Sequence, residues 1–409
     1  MTVPPPEDRT TGSRPAGAAD LAARPRIRLS LLLLAYCAFI SLGLPDGLLG
    51  VGWPSMADSL RLSTDTVGVL LFVGMIGYLA SSIMTGFSLD RLGVGRLLAG
   101  STALAGAALV GYAVTPSLAV LIPCALVAGF GGGGIDAGLN AYAAGAFGAR
   151  QMNWLHAFFG LGVAIGPMIM TAVISGGLSW RWGYAIVATA QLLLAIAFTL
   201  TIRSWRSGPG TPEPAPTIQP RVAETLRMPA VWLGVAAFGV YVGAEVTTGL
   251  WAFLLLTEDR GMSAAIAGLC VSAYWGSLFA GRVVQGFTVE HLGTGRTLVA
   301  GLAGMLTGSV LVAVPGPGWL AVTGLILIGF SAAPVFPLLT LTTADRVGER
   351  HANRAIGLQM AAAAGIGGAV IPSGAGVIIE RVGAETLGPM LVVLCLVLPA
   401  LYAVMTRRR

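Results

Sequence analysis

From Leu29 onward the chain alternates between long apolar runs and short polar interruptions. A bilayer core needs roughly 20 apolar residues in a helix. With charged residues as fences, the runs are 29–57, 66–89, 97–149, 151–180 and 182–202. After a polar stretch they resume at 228–257, 261–281, 297–344, 355–379 and 386–406. Thr115-Pro116-Ser117 divides the third run, and Pro315-Gly316-Pro317-Gly318 divides the eighth. The pattern predicts an all-α membrane protein with twelve spans, six on each side of a linker. The predicted organisation is a disordered tail at 1–28, a first six-helix half at 29–203, a cytoplasmic linker at 204–227, a second half at 228–406 and a short tail at 407–409.

Composition agrees with lipid as the main solvent. The chain is 55% hydrophobic and 10% charged, against about 25% charged in soluble domains. Its 24 basic residues are all arginine. With the N-terminus inside, only Arg61, Arg181, Arg260 and Arg381 fall outside. That asymmetry predicts cytoplasmic termini. The net charge of +6 reflects the same bias and implies no nucleic-acid partner. Arginine in place of lysine, with abundant Ala and Gly, points to a high-GC bacterium and its inner (cell) membrane. Cys37, Cys124, Cys270 and Cys395 lie in apolar runs without metal or disulfide spacing, so packing is their expected role. The chain calls for no cofactor and is expected to be monomeric.

The sequence also repeats itself. "GFSLDRLGVGR" at 86–96 returns as "GFTVEHLGTGR" at 286–296, and Gly129-Phe130 returns as Gly329-Phe330. Six spans return the chain to its starting side, so two like halves share one topology, related by a pseudo-two-fold axis along the membrane normal. Gly86, Asp90, Arg91, Gly93 and Arg96 resemble the 2–3 loop signature of the major facilitator superfamily, with Gly95 replacing one base. The second copy keeps Gly286, Gly293 and Arg296, with Glu290 for the acid and His291 for a base. The resemblance covers nearly the whole chain and implies that these residues gate the cytoplasmic face. Asp90 is expected to latch onto Arg346, Arg350 or Arg354 in the 10–11 loop when that face is closed.

Three acids interrupt the apolar runs: Asp46, Asp136 and Glu245. Each costs about 2.5–3.5 kcal/mol at mid-helix. No arginine lies near mid-span to neutralise them; Arg282 is placed at the cytoplasmic end of span 8. Acids of this kind suit proton carriage; the alternative is hydrogen bonding to Ser, Thr or Asn for packing. Asp136 and Asn140 share a face of helix 4, after four glycines that permit close approach or local unwinding. Asn153, His156 and Gly160 share a face of helix 5. Gly43, Asp46, Gly50 and Trp53 align on helix 1, and Tyr241, Glu245 and Thr248 on helix 7. Asp46, Asn140, Asn153, His156, Tyr241, Glu245 and Trp275 are the candidate solute contacts. Trp53, Trp251 and Tyr274 are further candidate rings, and Gln359 a further hydrogen-bonding group. Trp53, near an outer end, also fits an interface anchor.

"IDAGLNA", "GLPDGLL" and "NWLHAFFGLG" resemble helices 4, 1 and 5 of the fucose/proton symporter family. The resemblance implies that Asp46 helps bind a sugar and that Asp136 handles the proton. Here Asp replaces the common Glu on helix 4, and Ala141 replaces a Pro. "GVAIGP" at 162–167 resembles part of the antiporter signature of drug exporters, so proton-driven export of drugs or metabolites stays open beside sugar symport. No catalytic triad or metal cluster suggests an enzyme. The arginine bias yields a direct check: a C-terminal reporter active only outside the cytoplasm should stay silent, and activity there would overturn the twelve-span count.

Overall fold

A computed structural model describes residues 29–147, 149–205 and 221–407. The expected tails at 1–28 and 408–409, and most of the linker, lie outside the described residues. Among the described residues, twelve helices are long and apolar enough to cross a membrane. They are α1 (Leu29–Leu60), α2 (Thr64–Leu92), α3 (Val94–Val114), α4 (Leu118–Ala144), α5 (Trp154–Ser175) and α6 (Arg181–Ser204). The second set is α7 (Pro229–Asp259), α8 (Ala264–Gln285), α9 (Thr294–Ala313), α10 (Gly318–Leu341), α11 (Glu349–Val382) and α12 (Ala384–Arg407). Several run past the charges that fenced the apolar runs, because a helix continues into the headgroup region where charged tips reach water.

The packing obeys the sequence repeat. α1 packs on α5, α2 on α4, α3 on α4 and on α6. Six helices later, α7 packs on α11, α8 on α10, α9 on α10 and on α12. Lipid offers no hydrophobic drive between helices, so small residues and close backbone approach hold such pairs. Gly43 of α1 lies against the Phe159 carbonyl of α5, and Gly162 of α5 lies against the Ile40 carbonyl of α1. The four glycines 131–134 serve the same end: the helix runs unbroken through them. They let α4 close on Ser101 and Ala105 of α3 and on the Tyr78 carbonyl of α2. Of the two expectations for this run, close approach is the one observed.

The halves meet along α5–α8, α2–α11 and α1–α7. We call the face where α1 begins and α12 ends the terminal face. Contacts between the halves gather at the opposite, far face. There Gly50 meets the backbone of Gly249 and Leu250, Gly68 meets Ser373, and Gly268 meets Thr171. The Thr64 N–H donates to the Glu380 carboxylate at 2.8 Å. Toward the terminal face, His156, Asn353 and Gly357 are exposed. We call the space between the halves the cleft, and the close backbone contacts across it lie toward the far face.

The repeated motif has a conformational cause. Asp90 and Arg91 occupy the last turn of α2, and Gly93 alone separates Leu92 from Val94. Gly93 has φ 73° and ψ 161°; its counterpart Gly293, between α8 and α9, has φ 78° and ψ 157°. That region is essentially reserved for glycine. Asp90, Arg91, Arg96, Glu290 and Arg296 are all exposed at the terminal face. Gly86 has no heavy atom near where a Cβ would sit, and Gly286 lies in the helix that carries α8. Among the described residues, no ion pair joins Asp90 to Arg346, Arg350 or Arg354.

A Cβ at Gly93 or at Gly100 meets nothing within 4 Å, but Gly100 is helical. The two sites therefore separate backbone strain from packing. Gly93→Ala should destabilise by about 1–3 kcal/mol, whereas Gly100→Ala should stabilise by about 0.4–1 kcal/mol. Thermal unfolding midpoints in detergent should move in opposite directions.

Candidate functional site

Asp136 is the centre of a three-residue cluster in the first half. One turn along α4, the Asn140 amide Nδ2 donates to its Oδ1 at 2.9 Å. From α2, the Tyr78 hydroxyl donates to its Oδ2 at 2.5 Å. Gly133 makes this geometry possible, because a side chain there would strike the Tyr78 carbonyl. Asp136, Asn140 and Tyr78 are all half-buried. Asp46 is exposed although Leu44, Gly47 and Leu48 around it are buried. It acts electrostatically on the Tyr78 hydroxyl, so it lies near α2 within the same half. His156 of α5 lies within electrostatic reach of Asp136 and sets its ring edge-on to Phe39, centroids 5.5 Å apart. The Asn153 side chain lies outside the described residues.

In the second half, Glu245 bonds the Tyr241 hydroxyl one turn earlier on α7. That hydroxyl also lies 2.9 Å from the Ala332 carbonyl of α10. Tyr274 of α8 donates to the Glu245 backbone carbonyl at 2.8 Å. Arg282 corrects an expectation. The helix carrying α8 continues to Leu292, ten residues beyond Arg282 and about 15 Å at 1.5 Å per residue. Arg282 is therefore well inside the bundle. It reaches across the seam to the His156 carbonyl at 3.4 Å and acts electrostatically on both His156 and Tyr241.

Other expected contacts are spent on packing. Trp275 is 9% exposed, set against Gly249 and 4.9 Å from the Tyr274 ring. Trp53 donates to the Thr64 carbonyl at 2.7 Å, and Trp251 to the Pro372 carbonyl at 3.0 Å. Thr248 bonds the Ala244 carbonyl. Gln359 is buried and takes a hydrogen bond from Thr343. Asp46, Asp136, Asn140 and His156 thus gather on one wall of the cleft; in the other half Glu245 is half-buried, with Tyr241 buried beside it.

Tyr78 and Arg282 were missed as site residues by sequence reasoning. Tyr78 had a usable signal: it is the one phenol in a charge-free span, one turn before Ser81 and Ser82. Such a wall can hold hydroxyl-bearing solutes by hydrogen bonds.

The comparisons with known proteins agree with this plan. The glucose/mannose transporter GlcP of Bacillus subtilis is 22% identical over 83% of this chain and 85% of its own length. The class G tetracycline resistance protein of Vibrio anguillarum is 30% identical over 77% of this chain and 79% of its own. The crystal structure of FucP in the outward conformation superposes with a TM-score of 0.62 at 16% identity, covering 92% of this chain and 98% of that one. The profile of the Major Facilitator Superfamily matches residues 31–372. Because that match runs through both halves of the repeat, the chain belongs to the Major Facilitator Superfamily.

Proposed function

We propose that this transporter moves a sugar or sugar-like solute across the plasma membrane by proton-coupled alternating access. Members of the superfamily are transporters, not enzymes. Arginine bias supports a cytoplasmic terminal face, and the exposed His156, Asn353 and Gly357 support a cleft that opens toward it. The observation that carries the proposal is the Asp136 cluster. A carboxyl at membrane depth, reached from the cleft and held by one phenol and one amide, is a place where a proton is taken up and given back. Asp46, exposed on the same wall, is the anchor for solute hydroxyls, with Asn140, His156 and Asn153 beside it. Glucose and mannose, named for the Bacillus relative, are the first solutes to try.

A second reading has specific support. The Gly162–Pro167 segment and the likeness to a tetracycline resistance protein favour proton-driven export. The two readings differ in the direction of coupling. In proteoliposomes, an inward proton gradient drives accumulation under symport and expulsion under antiport, so labelled glucose and labelled tetracycline decide between them.

Asn at position 136 keeps the shape of a protonated Asp but cannot cycle. Asp136→Asn should abolish accumulation driven by a pH difference while leaving counterflow exchange intact. If it still accumulates solute on a pH difference alone, coupling lies elsewhere. Asp46→Asn should instead raise the solute Kd about tenfold or more, the loss expected for a hydrogen bond to a charged group. Asp90→Asn should slow turnover with Kd nearly unchanged, because its place at the terminal face is too far from the cluster to touch solute. Binding titrations and initial uptake rates on the purified variants separate these effects.

A further inference from the structure

α10 is not one continuous helix. Its first segment ends at Ala332, Ala333 and Pro334 form a turn, and a second segment runs Val335–Leu341. Pro334 has no N–H, so the Phe330 carbonyl one turn back loses its usual donor. Gly281 of α8 fits closely against that carbonyl. The Ala332 carbonyl is among the last four of the first segment, which lack ordinary helical partners. Ala332 and Ala333 are fully buried, so water is not at hand to replace one.

The Tyr241 hydroxyl supplies the partner, 2.9 Å away. The same phenol oxygen is bonded to Glu245. A phenol has one proton, while a backbone carbonyl and an ionised carboxylate can only accept. Both contacts are made together when the Glu245 carboxyl carries a proton: the acid donates to the phenol oxygen, and the phenol donates to Ala332. When Glu245 is ionised, two acceptors compete for one proton. The charged one wins, because charge-assisted hydrogen bonds are about twice as strong. The phenol then turns to the carboxylate, and the Ala332 carbonyl is left bare.

We propose that the break in α10 reads the protonation of Glu245 through Tyr241, tied to α7 when the acid is protonated and released when it is ionised. The step balances simply. The carboxyl proton leaves to water in the cleft, and the phenol proton swings about its C–O bond. Tyr241 is a positioning residue that carries the state of one helix to another. The remaining groups around Glu245 do not supply a substitute donor to Ala332. Tyr274 of α8 is committed to the Glu245 backbone carbonyl, and Thr248 to Ala244. Arg282 of α8 acts on Tyr241 through space, and Cys395 of α12 acts on Tyr274. α1 and α11 present glycine and aliphatic side chains to this stretch of α7, at Gly50, Ile366, Gly367 and Ile371.

The idea deepens the proton-coupled reading but is tested without any solute, so failure of the sugar assignment leaves it standing. Hydrogen exchange of peptides covering residues 329–341 is followed in the full-length protein in nanodiscs, across a pH series from acid to mild alkali, with rates corrected for intrinsic exchange. In the wild type, corrected exchange should rise about fivefold toward alkaline pH, the change in opening that one ordinary hydrogen bond gives. In Glu245→Gln it should stay slow throughout, because the Gln amide donates to the phenol as the acid does. In Tyr241→Phe it should stay fast throughout. A flat wild-type profile, or a wild-type pH dependence retained in either variant, overturns the proposal. Unchanged exchange in α4 peptides confirms that a variant is folded. Should Tyr241→Phe fail to fold, the comparison of wild type with Glu245→Gln decides alone.

Discussion

In hydrocarbon, every backbone N–H and C=O must find its partner inside the protein. Most features of this molecule are answers to that demand. Twelve helices satisfy it locally. Glycines then let neighbouring helices close until the backbone of one touches the next, as at Gly43 against Phe159 and Gly162 against Ile40. Where the helical ladder fails, another group stands in. Pro334 interrupts α10, and a phenol from α7 bonds the buried Ala332 carbonyl beside it. α11 departs from the ladder too, with a π-helical stretch at Ala363–Val370. It ends two residues before Pro372, another residue with no N–H to give.

The two walls of the cleft solve the problem of a membrane-depth acid differently. Asp136 is held by side chains from two helices, so its environment depends on how α2 sits against α4. Glu245 is held within its own helix, and its link outward passes through Tyr241 to α10. The first arrangement senses packing within one half. The second touches a helix interrupted at Pro334. Arg282 spans the seam between them, bonded to the His156 carbonyl of one wall and close to Tyr241 of the other.

Much of this was legible in the sequence because lipid imposes coarse, one-dimensional rules. Apolar length gave the spans, and the 200-residue echo gave the matched halves. The i, i+4 spacing of Asp136 and Asn140 placed their contact on one face, and the side chains do bond. What escaped was information carried between helices. Nothing local to Tyr78 says that its hydroxyl will meet Asp136, 58 residues later. Arg282 looked like a helix end because the apolar run stopped there, yet the helix itself continued to Leu292. The break at Pro334 was hidden inside an apolar run whose hydropathy does not register backbone connectivity. The glycine run at 131–134 was ambiguous for the converse reason: flexibility in sequence became intimacy in packing.

The single-residue joints at Gly93 and Gly293 have a mechanical corollary. A joint one residue long has almost no slack. Rotation at the end of α2 is therefore imposed on the start of α3 rather than absorbed between them, and the same holds for α8 and α9. Each pair behaves as a bent lever with a stiff elbow. Such elbows leave compliance to stretches where the backbone is less regular, such as the turn at Pro334 in α10 and the π-helical stretch in α11.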